Sequence, residues 1–252
     1  MNKETNIDKV REQTKWLFDA IPVKGSTPET DRLGVISHPF LPSMTLVANP
    51  MMLGYPDKDG IFTEKEKKID WLDVTKEEEL ATYRKFIFHE IDRNKLVLIY
   101  AMVNENYKML WFKACSPFLS DKDYGEFLID AWITQENPNN DINVQPQEVI
   151  QFFKKAKKRY IMQEAELDFF KALPSKLTVY RGIGKGMPRE GLSWTTSKSK
   201  AIWFKDRHKK YGEGELLKTV VKKEDILAYT NSRSEKEVII NVFNVKIEAA
   251  DE

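Results

Sequence analysis

Two glutamates, Glu235 and Glu237, stand two residues apart in the stretch YTNSRSEKEVIIN, residues 229–241. The second glutamate opens an apolar, β-branched run that is typical of a β-strand. Strand residues two apart project from the same face, and like charges that close disfavour each other's ionised form. The pair is therefore either a solvated strand end or a pair of carboxylates that carries out chemistry.

Two other polar features precede the glutamates. Arg181 ends the predicted strand KLTVYRG, and three hydroxyl residues, Thr195, Thr196 and Ser197, lie in the predicted strand GLSWTTS. Each feature alone is weak evidence for a functional site. Their joint order is more specific, because a helix-like SKAIWF follows the hydroxyls and the glutamates open an apolar strand.

This order resembles the ADP-ribosyltransferase superfamily of the R-S-E type. Its members carry Arg on the first core strand, Ser-Thr-Ser on the second, and Gln/Glu-x-Glu at the mouth of a later strand. The resemblance covers residues 177–252 and involves nothing before residue 147. This C-terminal stretch is similar in particular to ADP-ribosyltransferase-like domains of bacteria and their phages. One position departs from the pattern, since Thr195 stands where the family usually has Ser.

The resemblance implies cleavage of the bond between nicotinamide and ribose in NAD, which is a co-substrate. An oxocarbenium-like ribose develops, as in glycoside hydrolysis. Glu237 would stabilise this ribose, and Glu235 would orient or deprotonate the acceptor. Arg181 would bind a phosphate or ribose of NAD. The implied NAD-binding set is Arg181, Gly182, Thr195, Thr196 and Ser197, and the segment 229–234 resembles an acceptor-recognition loop, with Tyr229 or Arg233 as its contacts.

The implied activity is mono-ADP-ribosyl transfer to a macromolecule. Glu235 favours a protein arginine as the acceptor, on a host or target-cell protein, over a nucleic acid. Two alternatives stay open. The protein could be an NAD glycohydrolase, with water as the acceptor, or a catalytically silent binding module on the same fold.

Other chemistries find little support in the sequence. The glycines of RGIGKGMPREG do not match the dinucleotide or P-loop fingerprints. His38, His89 and His208 lack metal-ligand spacing, so no metal site is predicted. Cys115 and His89 lie in apolar helical patterns, which favours a packed thiol over a nucleophile.

Composition narrows the class further. The 252 residues contain 40 Lys and Arg against 39 Asp and Glu, which gives no global basic field for generic nucleic-acid binding. The polar start MNKETNIDKVREQ lacks the apolar core of a secretory signal, and no stretch has the roughly 20 apolar residues of a membrane span. We expect a cytoplasmic protein, in the host cytoplasm if phage-encoded, without a membrane partner.

The elements that must position these residues change character along the chain. Residues 1–146 are predicted as a mostly helical accessory region and residues 147–252 as the NAD-binding catalytic domain, an α+β protein with a mixed β-sheet. Ser120 is predicted to cap a helix over 120–135. A single amphipathic helix is predicted over 147–173, and its cluster FFKKAKKRYIM is interpreted mainly as a solvated face. Other predictions are a helix over 73–93, a helix or strand over 96–103, and irregular chain with one short strand over 28–60.

Overall fold

The computed structural model describes residues 4–25, 36–50, 71–135, 141–207 and 209–251. The chain divides into two compact units, one formed by Thr5–Leu119 and the other by Ser120–Glu252 together with Met1–Glu4. The division lies between Leu119 and Ser120, earlier than the domain start predicted at residue 147. The helix that follows Ser120 thus belongs with the sheet-bearing unit.

The first unit is helical. Helix α1 packs against α2, α3 and α4, and the buried Trp111 Nε1 donates to Thr14 Oγ1 at 2.9 Å in its core. The apolar run at 96–103 is helical, and the helix predicted from residue 73 begins at Glu77 because Asp73 ends a short strand. The stretch predicted as irregular with one short strand contains two short strands, β2 and β3, within its described residues 36–50, and residues 28–35 and 51–60 lie outside the described residues. The elements are α1 Ile7–Ala20, β1 Lys24–Gly25, β2 Ile36–Ser37, β3 Leu46–Ala48, β4 Trp71–Asp73, α2 Glu77–Arg93, α3 Leu96–Ala101 and α4 Lys108–Cys115.

In its described residues, the second unit begins with four helices. Ser120 caps the first of them, as predicted, since its side chain accepts from the Asp123 amide. The prediction of a single long helix over 147–173 was wrong. The chain becomes extended at Ala156 and at Met162, so the region is divided into three helices. A Gln163–Glu166 capping box then starts the third part, although no proline or glycine marks the breaks. The helices are α5 Asp121–Thr134, α6 Pro146–Lys155, α7 Lys158–Ile161 and α8 Glu164–Ala172.

A six-stranded sheet with the order β10-β7-β5-β6-β9-β8 forms the rest of this unit. The α+β class is thereby confirmed. A mixed sheet was expected, and every strand pair in the described sheet is antiparallel. The elements are β5 Lys176–Ile183, β6 Ser193–Thr195, α9 Lys198–Asp206, β7 Glu215–Lys222, β8 Ile226–Thr230, β9 Glu237–Ile240 and β10 Glu248–Ala249.

Strand β6 lies between the strands that carry Arg181 and Glu237. It is joined to β5 through the pair Tyr180–Thr195 and to β9 over three pairs, one of which is Thr195–Glu237. The arginine, the hydroxyl strand and the glutamate are far apart in sequence, and they lie on three successive strands of the sheet. The sheet order therefore brings the three predicted features together.

Candidate active site

Glu237 opens strand β9 with a buried carboxylate that is 3% exposed. Its Oε1 accepts from Trp132 Nε1 at 3.0 Å, and the Ser193 side chain makes a further hydrogen bond to it. Burial raises the pKa of Glu237, and the bonds from Ser193 and Trp132 together with the charge of Arg233 oppose this rise. Glu237 is thus a desolvated carboxylate held in one orientation by two donors.

Arg233 joins the two glutamates of the E-x-E pair. Its Nη2 lies 3.1 Å from Glu235 Oε2 and 3.9 Å from Glu237 Oε2, while its Nη1 donates to the Ile133 carbonyl at 3.1 Å. The expectation that both glutamates lie on one strand face was wrong. The strand begins at Glu237, and Lys236 before it has a left-handed φ of 48°. The carboxylates meet through a shared guanidinium instead of through strand alternation.

The loop that carries Arg233 and Glu235, residues 231–236, has an unusual backbone. Ser234 and Lys236 both have positive φ, 55° and 48°, which is costly for residues other than glycine. Asn231 stabilises the loop, since its carbonyl accepts from Ser234 N at 2.9 Å and its Oδ1 from Lys236 N at 3.0 Å. Strand β6 ends at Thr195, and the next residue, Thr196, donates its N–H to the Lys236 carbonyl at 3.1 Å. This strained geometry places Glu235 beside Glu237.

Arg181 lies on β5 and is tied to the neighbouring strand. Its Nη1 donates to the Ser193 carbonyl at 2.7 Å. Its Nε is buried and finds no hydrogen-bond partner among the residues that the structure describes. Burial lowers the pKa of Arg181 to about 10, although the charge of Glu237 opposes this change. Gly191 makes room for the guanidinium, because a Cβ there would lie 2.4 Å from Arg181 Cζ.

The hydroxyl triplet acts mainly on the backbone. Thr195 Oγ1 donates to the Glu235 carbonyl at 2.7 Å and accepts from Ser197 N at 3.1 Å. Ser197 caps helix α9, since its side chain accepts from the Lys200 amide. Thr195 therefore positions the glutamate loop through the Glu235 backbone. Thr196 contributes its amide to the same loop.

Gly182 has a packing reason to be glycine. A Cβ at this position would lie 1.8 Å from the Ala201 carbonyl oxygen and 2.5 Å from Lys205 N, both on α9. The helix thus crosses directly over the strand that carries Arg181. The role of Gly182 in NAD binding stays a prediction.

The site residues predicted from the sequence did not include Ser193 and Trp132, the two hydrogen-bond donors to Glu237. A signal for Ser193 existed, because it stands two residues before Thr195 on the same strand and therefore faces the same side. Trp132 carried no such signal. It reads as an apolar helix residue, and it reaches Glu237 from 105 positions away in the sequence. Of the two predicted acceptor contacts, Arg233 lies at the glutamates, whereas Tyr229 is buried in β8 and stacks on Phe169 at 4.3 Å between ring centroids.

Within the described ranges, no group of three or more His, Cys, Asp or Glu side chains could hold a metal ion. No helix in the described part of the chain is long and apolar enough to cross a bilayer. Comparisons of the chain with protein-family profiles, with characterised proteins and with solved structures found no match.

Proposed function

We propose that this protein is a mono-ADP-ribosyltransferase that cleaves NAD at the nicotinamide–ribose bond and transfers ADP-ribose to a macromolecule. One observation carries the proposal. Arg181 donates to the Ser193 backbone, and the Ser193 side chain bonds Glu237, so Arg, Ser and Glu form one connected set across three neighbouring strands. In the sequence, Arg181, the hydroxyl strand with Thr195, and Glu237 follow the order that resembles the R-S-E pattern, and Ser193 lies two residues before Thr195 on that strand.

The environment of Glu237 suits stabilisation of a developing positive charge. A fixed carboxylate in a water-poor site interacts more strongly with a cationic ribose than one in water does. The nicotinamide leaving group is already cationic, so bond cleavage needs little acid assistance. The hydrogen bonds from Ser193 and Trp132 favour the ionised form that this role requires.

Arg181 is suited to binding the anionic part of NAD. A guanidinium binds phosphate oxygens through several donors in one plane. The Nε of Arg181 lacks a hydrogen-bond partner among the described residues, and a buried donor without a partner is unfavourable unless a ligand completes it. A phosphate or ribose oxygen of NAD would supply that acceptor.

Glu235 is the residue proposed to act on the acceptor. Its side chain is 17% exposed and already holds one guanidinium, that of Arg233. A second guanidinium could be recognised in the same way, which supports a protein arginine of a host or target cell as the acceptor over a nucleic acid. The proposed place of action is the cytoplasm, that of the host if the protein is phage-encoded.

A second candidate is a binding module without catalysis. It is favoured by the burial of Glu237, which is 3% exposed beneath Trp132 and Arg233. Turnover would require the loop that carries Arg233 to move and expose the carboxylate. The module would keep the same constellation as part of its core.

Nicotinamide release from labelled NAD, with and without bacterial lysate, tests the proposal. The Glu237→Gln variant should lower release by at least about 100-fold, because it removes the charge that stabilises the ribose in the transition state. The change is nearly isosteric and keeps an oxygen for Trp132, so circular dichroism should show an unchanged fold. Release by this variant at the wild-type rate would contradict the assignment, and no release by the wild type would favour the binding module.

Glu235→Gln is the matched variant. It should lower transfer of label to macromolecules more than it lowers release of free ADP-ribose, because Glu235 is proposed to act on the acceptor. Equal losses of both products would refute that role. Wild-type protein that yields only free ADP-ribose would indicate a glycohydrolase.

A further inference from the structure

The second unit contains a cleft of about 790 Å³ that the proposed chemistry does not use. Its lining comes from α6, α7, α8 and the adjoining ends of β5, β7 and β8. Ile226 at this cleft pairs with Ile240, whereas Glu237 pairs with Thr230 at the other end of the same two strands. The cleft is therefore separate from the candidate active site, and its volume lies in the range of small-molecule sites.

The charged groups in the cleft are nearly all cationic. Five lysines and one carboxylate, Glu224, line it. Lys222 is paired with that carboxylate at 3.3 Å. Lys154 and Lys176 are exposed and form no ion pair with any described residue. The five lysines are Lys154, Lys158, Lys176, Lys222 and Lys223.

Two of the ammonium groups are held in place by neutral partners. Lys223 Nζ donates to the Lys171 and Leu173 carbonyls at 2.5 and 3.0 Å. Lys158 Nζ donates to the Leu227 carbonyl and lies 5.4 Å from the Phe170 ring centroid. These bonds fix the positions of the two charges without neutralising them.

Lys158 is the lysine of this cleft whose charged form is most disfavoured by burial. Burial lowers its pKa to about 8, and no carboxylate in the described part of the chain offsets this effect. A partly buried charge without an opposite charge is unfavourable, so a bound anion would stabilise the folded chain as well as its own complex. Phe170, Ile226 and Leu227 add an apolar wall to the cleft.

We propose that this cleft binds a small ligand with adjacent phosphate groups, such as a nucleoside polyphosphate. Ammonium groups from four segments line one open cleft, which suits several clustered negative charges better than a single carboxylate. Lysine binds phosphate as a compact point charge. The apolar wall would contact the part of the ligand that carries no phosphate. This inference does not depend on the proposed transferase activity.

The test is calorimetric titration of the full chain with inorganic tripolyphosphate and with ATP. Both should bind, and the double variant Lys154→Ala/Lys176→Ala should raise the Kd for both at least tenfold. Folding should not suffer, because these two side chains are exposed and make no ion pair with the described residues. Glu224→Gln should lower the Kd severalfold, because it removes the one negative charge of the cleft.

A matched control is Lys122→Ala/Lys246→Ala, which removes two lysines whose side chains are 64% and 87% exposed and that lie outside the cleft. This pair should leave both Kd values within twofold of the wild type. An equal weakening by the two double variants would show non-specific attraction and overturn the proposal. So would an absence of binding at millimolar probe, or binding of a single-stranded oligonucleotide without binding of either small probe.

Discussion

At the scale of single residues, the environment of Glu237 has consequences for stability as well as for chemistry. It is the only carboxylate that is fully buried among the described residues. Two donors and the charge of Arg233 hold it, but they do not cancel the effect of burial, because its pKa remains raised. A group with these properties costs stability when ionised, as residues of functional sites often do.

The pH dependence of stability should reveal this cost. Because the folded state raises the pKa of Glu237, the native chain holds a proton that the unfolded chain has already lost. The free energy of unfolding of the wild type should therefore fall relative to that of Glu237→Gln as the pH rises from about 4.5, the ordinary glutamate value. The difference should become constant above the folded pKa.

Thermal unfolding of both proteins between pH 4 and pH 8 checks this sign. Glu235→Gln is the control, because its carboxylate is more exposed and pairs with Arg233 at 3.1 Å. A difference between the wild type and Glu237→Gln that does not change with pH would contradict the prediction.

At the scale of elements, helix α9 and strand β5 set the geometry of the arginine. Ser197 caps the helix directly after the hydroxyl strand, and Gly182 lets the helix approach the strand closely. Helix α9 is therefore packed closely against β5 next to Arg181. The same glycine that was expected to face a ligand has a defined packing role.

Gly182→Ala should separate the two elements. The added methyl group would overlap backbone atoms of α9 at 1.8 and 2.5 Å, which a side-chain rotation cannot relieve. We expect a loss of about 1–3 kcal/mol in the free energy of unfolding, the usual cost of overpacking. Urea denaturation followed by circular dichroism measures it.

Thr178→Ala is the matched variant on the same strand, because that side chain is exposed. It should cost clearly less than Gly182→Ala. Equal unfolding midpoints for Gly182→Ala and the wild type would refute the close approach of α9.

At the scale of the whole molecule, helix α5 is an integral part of the sheet-bearing unit. Trp132 from α5 bonds Glu237 and packs edge-on against Phe153 at 5.8 Å between ring centroids. Lys157 pairs with Asp121 at the start of the same helix at 2.5 Å. The unit therefore needs residues that precede the predicted domain start at 147.

Two fragments test this organisation. Residues 120–252 should fold alone and unfold cooperatively, whereas residues 147–252 should not, because they lack α5. Removal of a buried tryptophan alone typically costs about 3–5 kcal/mol, a large part of the stability of a domain. Thermal unfolding by circular dichroism distinguishes the two. Cooperative unfolding of the shorter fragment would show that α5 is dispensable.

The sequence by itself determined the features that depend on local order. Ser120 as a helix cap, the change from helices to strands and the α+β class follow from residue types and spacing. The order of Arg181, the hydroxyl strand and Glu237 could also be read, although the activity assigned to it stays a proposal. These features need no knowledge of which distant segments meet.

Only the tertiary structure decided which side chains meet across the fold. Trp132 and Ser193 became partners of Glu237 through packing and sheet order, and Arg233 joined the glutamates through a strained loop that periodicity does not encode. The lysines of the stretch FFKKAKKRYIM also have different surroundings in the structure. Lys157 pairs with Asp121, while Lys154 and Lys158 line the cleft. The physical reason is that hydrophobic spacing reports the local face of an element, whereas desolvation and pairing depend on residues many positions away.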